Sequence, residues 1–358
     1  MILTLCLWVL GAEIVVLGPI VYSGQLLRRG QNMQALPWLR YSYAVSRVLP
    51  SLRGVVALNM CACHTQLGDY EQAMPFNEEA LERLSRRGES SRNLAIARAY
   101  RGILLARMGK FDEAETIFTS ILADNKISSR LRIEVEACAA AGYINQGRFA
   151  EAKALLEGVI AATRPDTVSH ALAESNMSVC HFFEGHVPEA LEMAQRASTR
   201  AVTWKWIPTL ALANCLSYQI ELGHLDAARE IEGKIMPSLS ETPTYVQSTI
   251  LSMVARLALR RDDLDRARDL AERAYPLDPN PNAQARALLV QAEVFAARKN
   301  PGRTEAICSE ILRLNALNYY KERAHRLLNA LPDKNYAYIA PSLSANRTQE
   351  SPQIQPLT

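Results

Sequence analysis

One six-residue turn recurs along this chain at nearly constant spacing, and that recurrence constrains the fold more than anything else in the sequence. Its clearest copy is Gly109-Lys-Phe111-Asp-Glu-Ala114, a helix-stopping glycine, an aromatic two residues later, and a small residue three after that. Gly68-Asp-Tyr70-Glu-Gln-Ala73, Gly147-Arg-Phe149-Ala-Glu-Ala152, Gly185-His-Val187-Pro-Glu-Ala190 and Gly223-His-Leu225-Asp-Ala-Ala228 follow the same form. Two decayed copies are read at Asp262-Asp-Leu264-Asp-Arg-Ala267 and Pro301-Gly-Arg303-Thr-Glu-Ala306. The successive alanines stand 41, 38, 38, 38, 39 and 39 residues apart. A fixed period of this size means one supersecondary unit stacked many times, each copy burying its neighbour's apolar face.

The residue types explain the turn. Glycine accepts the left-handed backbone that closes a first helix, a conformation costing a side-chained residue about 1 kcal/mol or more. The large apolar residue plugs the crevice between paired helices. Acidic residues or proline at the start of the second helix suit its dipole and unpaired N–H groups. The alanine lets the second helix pass close to the first. Seven residues before the glycine another small residue stands in most copies (Cys61, Gly102, Ala140, Ser178, Ala255), with Leu216 and Val294 as exceptions.

Composition agrees with an all-α protein. Apolar residues make up 49% and charged residues 22%, and the formal net charge of +3 leaves no field suited to nucleic acid. The seven cysteines are odd in number and scattered through helical pattern, which predicts reduced, mostly buried thiols. Cys61 and Cys63 stand two apart, on opposite sides of a helix, and so do not share a metal ion.

Residues 2–22 form an apolar run broken only by Thr4 and Glu13, long enough at about 1.5 Å per residue to span about 30 Å of hydrocarbon. Arg28, Arg29, Arg40, Arg47 and Arg53 follow it, with no acidic residue before Asp69. The positive-inside rule then places the body on the cytoplasmic side of the inner membrane, tethered by a single pass. Glu13 and the heptad-spaced Gly11 and Gly18 suit a partner helix within the bilayer. The predicted division is an anchor at 1–23, a polar linker and capping helix at 24–50, a solenoid at 51–315, a closing helix at 316–332 and a disordered tail at 333–358.

These turns, with Ala80, Phe118, Ala274 and Pro279 matching the later pattern positions, resemble the tetratricopeptide repeat family across 51–315. The resemblance implies a right-handed α-solenoid of about seven helix pairs. The period here exceeds the family's ~34 residues, which predicts longer helices. It also implies that the first helix of each pair lines a concave, ligand-binding face. Asn59, Asn176 and Asn214 stand nine residues before their glycines, where asparagines of relatives bond a peptide backbone; an amide offers both donors and acceptor. Glu134, Asn145, Phe183, Glu221, Arg256 and Arg260 share that stripe with Ser175 and Ser217.

No phosphate-binding glycine loop, nucleophile elbow, HExxH or paired CxxC occurs. The expectation is a membrane-tethered scaffold that binds a protein or peptide, with no enzyme activity, cofactor, metal or nucleic-acid partner. An envelope-facing assembly factor and a regulatory arm of an enzyme complex are the alternatives.

Overall fold

The computed structural model describes residues 17–27, 29–47, 50–86, 92–125 and 127–331. Residues 17–27 are helical (α1), and α2 (Asn32–Val45) follows. Seven antiparallel pairs come next: α3 (Pro50–Leu67) with α4 (Tyr70–Ser85), α5 (Arg92–Arg107) with α6 (Phe111–Leu122), and α7 (Ser129–Gln146) with α8 (Phe149–Ala162). Then come α9 (Val168–Phe183) with α10 (Val187–Ser198), α11 (Trp206–Glu221) with α12 (Leu225–Ile235), α13 (Thr244–Arg260) with α14 (Leu264–Ala274), and α15 (Pro281–Ala297) with α16 (Pro301–Arg313). A last helix, α17 (Asn318–Asn329), closes the array. Among the described residues there is no strand, and the protein is an all-α helical repeat solenoid.

One backbone device makes all seven turns. After Gly109, whose φ is +77°, the Lys110 N–H donates to Leu105 O at 2.9 Å, five residues back, and Lys110 then becomes the N-cap of α6. The same five-residue step joins Asp69 to His64, Arg148 to Tyr143, His186 to His181, His224 to Gln219, Asp263 to Ala258 and Asn300 to Phe295. It satisfies carbonyls that a helix end otherwise strands. In the last two turns Asp262 (φ 64°) and Lys299 (φ 56°) take the glycine's place. Ala73, Ala114, Ala152, Ala190, Ala228 and Ala267 are all buried where the second helix crosses the first.

The last copy departs from the sequence reading. Its turn runs Lys299-Asn300-Pro301, two residues earlier than the Pro301-Gly302 register. Thr304 therefore fills the small-residue site and is fully buried, while Ala306 faces outward. With neither glycine nor alanine in place, the sequence pattern slid to the nearest Pro-Gly, whereas backbone bonding set the true register.

The N-terminal region is also arranged differently. Residues 2–16, including Gly11 and Glu13, lie outside the described residues, as does the tail from 332 onward. Among the described residues no helix is long and apolar enough to cross a membrane. Residues 24–27 are helix, not linker: Leu26 and Leu27 are buried with Ala35, Leu39, Met60 and Cys63. α2 buries its Ala35–Leu39–Ser42 face, which leaves Trp38 and Tyr41 exposed, and Gly18 has open space around it. Arg53 is withdrawn from the basic cluster. It lies on the Tyr43 ring, 3.5 Å from its centroid, and pairs with Glu79 at 2.7 Å.

The main consequence for function is that the superhelix closes on itself. Gly30 lies against Trp204, at the approach to α11. The turn of the first pair meets the start of α13, where Thr244 Oγ1 donates to Leu67 O at 2.7 Å. The turn of the second pair meets Pro281 at the start of α15, and Gly147 of the third meets Leu317, beside α17. Asn282 ties this last contact: its Nδ2 donates to Asn145 O (2.9 Å) and Oδ1 (3.1 Å), while its Oδ1 accepts the Leu317 N–H at 2.7 Å. Solenoid units ordinarily touch only their sequence neighbours. Here a seam joins pairs that are far apart in sequence, so the concave face becomes the wall of a lumen.

Candidate functional site: the lumen of the superhelix

The lumen is a cavity of about 1370 Å³ walled by first helices, α5, α7, α9, α11, α13 and α15. Each helix turns one stripe inward: Tyr100 and Arg107 from α5, Glu134 and Cys138 from α7, Asn176 from α9, Trp206 and Asn214 from α11. Tyr245 and Arg286 complete the wall from α13 and α15. A smaller hollow of about 150 Å³ adjoins it, sharing Asn145, Asn214, Asn282 and Arg286.

The residues expected on the concave face separate into three groups. Asn176, Asn214, Glu134 and Asn145 line the lumen. Within this group Asn214 donates to Ser175 Oγ at 3.2 Å and Glu134 pairs with Arg130 at 3.2 Å. Asn145 donates to Ala141 O at 2.9 Å and accepts from Asn282 across the seam. Phe183 and Arg256 line the smaller hollow. Phe183 stacks on Phe149 at 5.4 Å and meets the Tyr319 ring edge-on at 5.3 Å, so it seals the seam. Arg256 is ion-paired with Glu221, and its Nε is buried with no acceptor. Burial alone would push the Glu221 carboxyl up, but Arg256 outweighs it and holds the carboxyl below its ordinary range. Asn59, Glu221 and Arg260 line neither space.

On the closing helix α17, Tyr320 is buried, Tyr319 meets Phe182 and Phe183, and Arg323 is ion-paired with Glu293. The seam uses this face, which is why it is aromatic.

Several lumen residues escaped the sequence reading, chiefly Arg107, Tyr245, Asp278 and Arg286. Arg107 was accessible to it. It stands two residues before Gly109, the same stripe position as Asn145, Phe183, Glu221 and Arg260 in their copies. Tyr245 and Arg286 carry no such mark, because they lie near helix starts that only the closed superhelix turns inward.

The six described cysteines are free thiols, five of them buried. Cys61 sits 3.9 Å from Thr65 Oγ1, whereas Cys63 donates to Asn32 O at 3.4 Å, so the two address different neighbours. Burial pushes Cys61, Cys63, Cys138, Cys180, Cys215 and Cys308 each up to about 12. His181, Glu184 and His186 bring ligand atoms within 4.8 Å of one another at one turn. Lys153 Nζ already holds Glu184 at 2.7 Å, which balances the carboxylate without an ion.

Tetratricopeptide repeat models match residues 52–125 and residues 251–273. In those two stretches the chain is similar to tetratricopeptide repeats. Solved structures similar in fold include the human IFIT1 dimer with m7Gppp-AAAA, at 14% identity and a TM-score of 0.53, covering 85% of this chain and 69% of that one. The same human protein with PPP-AAAA gives 16% identity and a TM-score of 0.51 over the same shares. A tetratricopeptide repeat protein from Parabacteroides merdae ATCC 43184 gives 15% identity and a TM-score of 0.47, covering 76% of this chain and 98% of that one. For the two IFIT1 structures the likeness is one of fold. No curated protein matches the sequence. The helix-pair unit extends well beyond the two matched stretches, since all seven turns share one hydrogen-bond pattern.

Proposed function

We propose that this chain is a non-enzymatic interaction scaffold that receives a protein or peptide segment in the lumen of its repeat superhelix. The observation that carries this reading is the lumen itself. It is walled by first helices, the face tetratricopeptide repeats use for partners, and it mixes aromatic side chains with amide and guanidinium donors. The closed seam favours a short or extended segment entering from an end of the lumen over a folded domain. A photoreactive p-benzoylphenylalanine in place of Asn176 should cross-link a partner in cells, while the same residue in place of the outward-facing Glu157 should not. Equal cross-linking from both positions would remove the lumen from the interaction.

The scaffold is tethered through residues 2–22, with the solenoid on the cytoplasmic face. The apolar run and the arginines after it support this. So does the exposed apolar surface. Among the described residues the large exposed hydrophobics are Leu17, Val21, Tyr22, Met33, Trp38 and Tyr41, all on α1 and α2. Tyr22 and Trp38 meet edge-on at 5.3 Å, and this pair suits the headgroup zone beside an anchor. The described cysteines report sidedness poorly, because five of the six are buried and burial pushes their thiols up to about 12. A Glu157→Cys variant supplies an exposed thiol. In intact cells it should resist an impermeant maleimide and react only after lysis, and labelling before lysis would place the solenoid outside the cytoplasm.

A further inference from the structure

The lumen wall carries more cationic donors than its own carboxylates satisfy. Of the five arginines that line it, Arg130 pairs with Glu134 at 3.2 Å, Arg164 pairs with Asp166 at 2.6 Å, and Arg29 is exposed. Arg107 and Arg286 are different. Neither forms an ion pair among the described residues. Arg107 lies over the Tyr245 ring, 4.2 Å from its centroid. Arg286 spends one Nη on Thr249 Oγ1 at 3.0 Å, and its Nε is buried with no acceptor. The Tyr70 hydroxyl, close enough to Arg107 to feel its charge, is likewise buried and unbonded.

One carboxyl, Asp278, lies within reach of both arginines, and it is a poor counter-ion. It is 5% exposed and accepts the Asn280 N–H at 3.1 Å. Burial pushes its carboxyl up against the pull of Arg107 and Arg286. A cationic donor left without an acceptor in a poorly solvated place costs more than an ordinary lost hydrogen bond. The same low local dielectric strengthens its attraction for any anion that arrives. The cavity is also far larger than the ~30 Å³ share of a water molecule, and Tyr100, Ile103, Trp206 and Leu210 give part of its wall an apolar surface.

We infer that the lumen binds a ligand through an anionic group, a carboxylate or a phosphate, held by Arg107 and Arg286, with the ligand's apolar part against Tyr245, Trp206 and Leu210. Planar guanidinium forks suit such oxyanions. The two arginines belong to α5 and α15, pairs that meet at the Gly109–Pro281 contact. The site therefore exists only because the superhelix closes, and filling it fastens two distant pairs together. This inference rests on the reading of the lumen as the binding face.

The test titrates the full-length protein in detergent with benzoate, phenyl phosphate and neutral benzamide, by calorimetry and by shift of the melting midpoint. At least one of the two anions should bind, and benzamide should bind at least about tenfold more weakly. Whichever anion binds more tightly identifies the oxyanion preferred. Arg107→Gln and Arg286→Gln should each weaken the anion by at least about tenfold, Arg107→Lys by less, and the exterior Arg326→Gln not at all. Should Arg107→Gln fail to fold, Arg286→Gln decides alone. Benzamide binding as tightly as the anions, no response to either anion, or unchanged affinity in folded Arg286→Gln would each overturn the inference. Cross-linking from position 176 that persists without anion binding removes this inference alone. Anion binding without cross-linking leaves it standing and removes the protein-partner reading.

Discussion

Replacing Glu174 by alanine is expected to destabilise the protein by about 3 kcal/mol, because it strands two arginines at a buried junction. The Glu174 side chain is fully buried between α9 and the end of α10. Arg200 grips it twice, Nε to Oε2 at 2.8 Å and Nη2 to Oε1 at 2.6 Å. Arg196 adds a contact at 3.0 Å, and His170 Nε2 lies 3.5 Å away. Breaking such a pair from one side costs more than the pair itself contributes. The half-exposed Arg196 can turn to water, which keeps the loss at the lower end of the range. The effect is readable as a drop in melting midpoint or in urea resistance.

The same node gives a pH signature. Burial alone would push the Glu174 carboxyl up, but the Arg200 bonds, with the charges of Arg200, His170 and Arg196, hold it below its ordinary range. A carboxyl whose folded pKa lies below its unfolded value stabilises the fold above the unfolded value. That stabilisation fades as pH falls from about 4.3 through the folded pKa. The melting difference between the native chain and Glu174→Gln should therefore be full at pH 7 and shrink below about pH 4.3. A gap of constant size down to pH 3 would contradict the assignment.

Replacing Asn282 by alanine is the second large effect expected, about 2–4 kcal/mol for three hydrogen bonds lost together. The Leu317 N–H and the Asn145 carbonyl lose the partner they have across the seam. Hydrogen exchange should then quicken at the end of α7 and at the start of α17 together, although these segments are far apart in sequence. The radius of gyration should rise as the superhelix loosens. Faster exchange confined to α15, with an unchanged radius, would mean that Asn282 is a local cap with no role in closure.

Much of the fold was legible because its determinants are local. Gly109 takes a left-handed φ for a reason visible within six residues, and Ala114 is small for a reason visible within one helix pair. Where local marks decayed, legibility failed. Lys299 holds the left-handed position without being glycine, so the pattern points to Pro301-Gly302 and to Ala306 as the buried residue, whereas the structure buries Thr304. At the N-terminus Leu26 and Leu27 look like part of a polar linker, yet they are buried, because α2 and α3 fold over them. Trp38 and Tyr41, the bulkier stripe of α2, stay outside.

The candidate site was half legible. Asn176 and Asn214 follow from their offset to the turn, and Arg107 shares the turn offset of Asn145 and Phe183. Phe183 and Asn145 were placed on a ligand face, yet they serve largely to close the superhelix.

The sequence by itself determined the unit: a helix pair of fixed period, the turn that closes it, and the helix that faces inward. Only the tertiary structure decided that the units wind tightly enough for the turn of the second pair to meet Pro281 and that of the third to meet Leu317. The physical reason is accumulation. Each pair is rotated on its neighbour by an angle that packing sets only within a range, and small differences add up over successive pairs into an open groove or a superhelix whose ends meet along a seam. Thr244 and Asn282 read as ordinary helix-start residues. They become the seam, and Arg107 and Arg286 become one site, only after those rotations have summed to a closed turn.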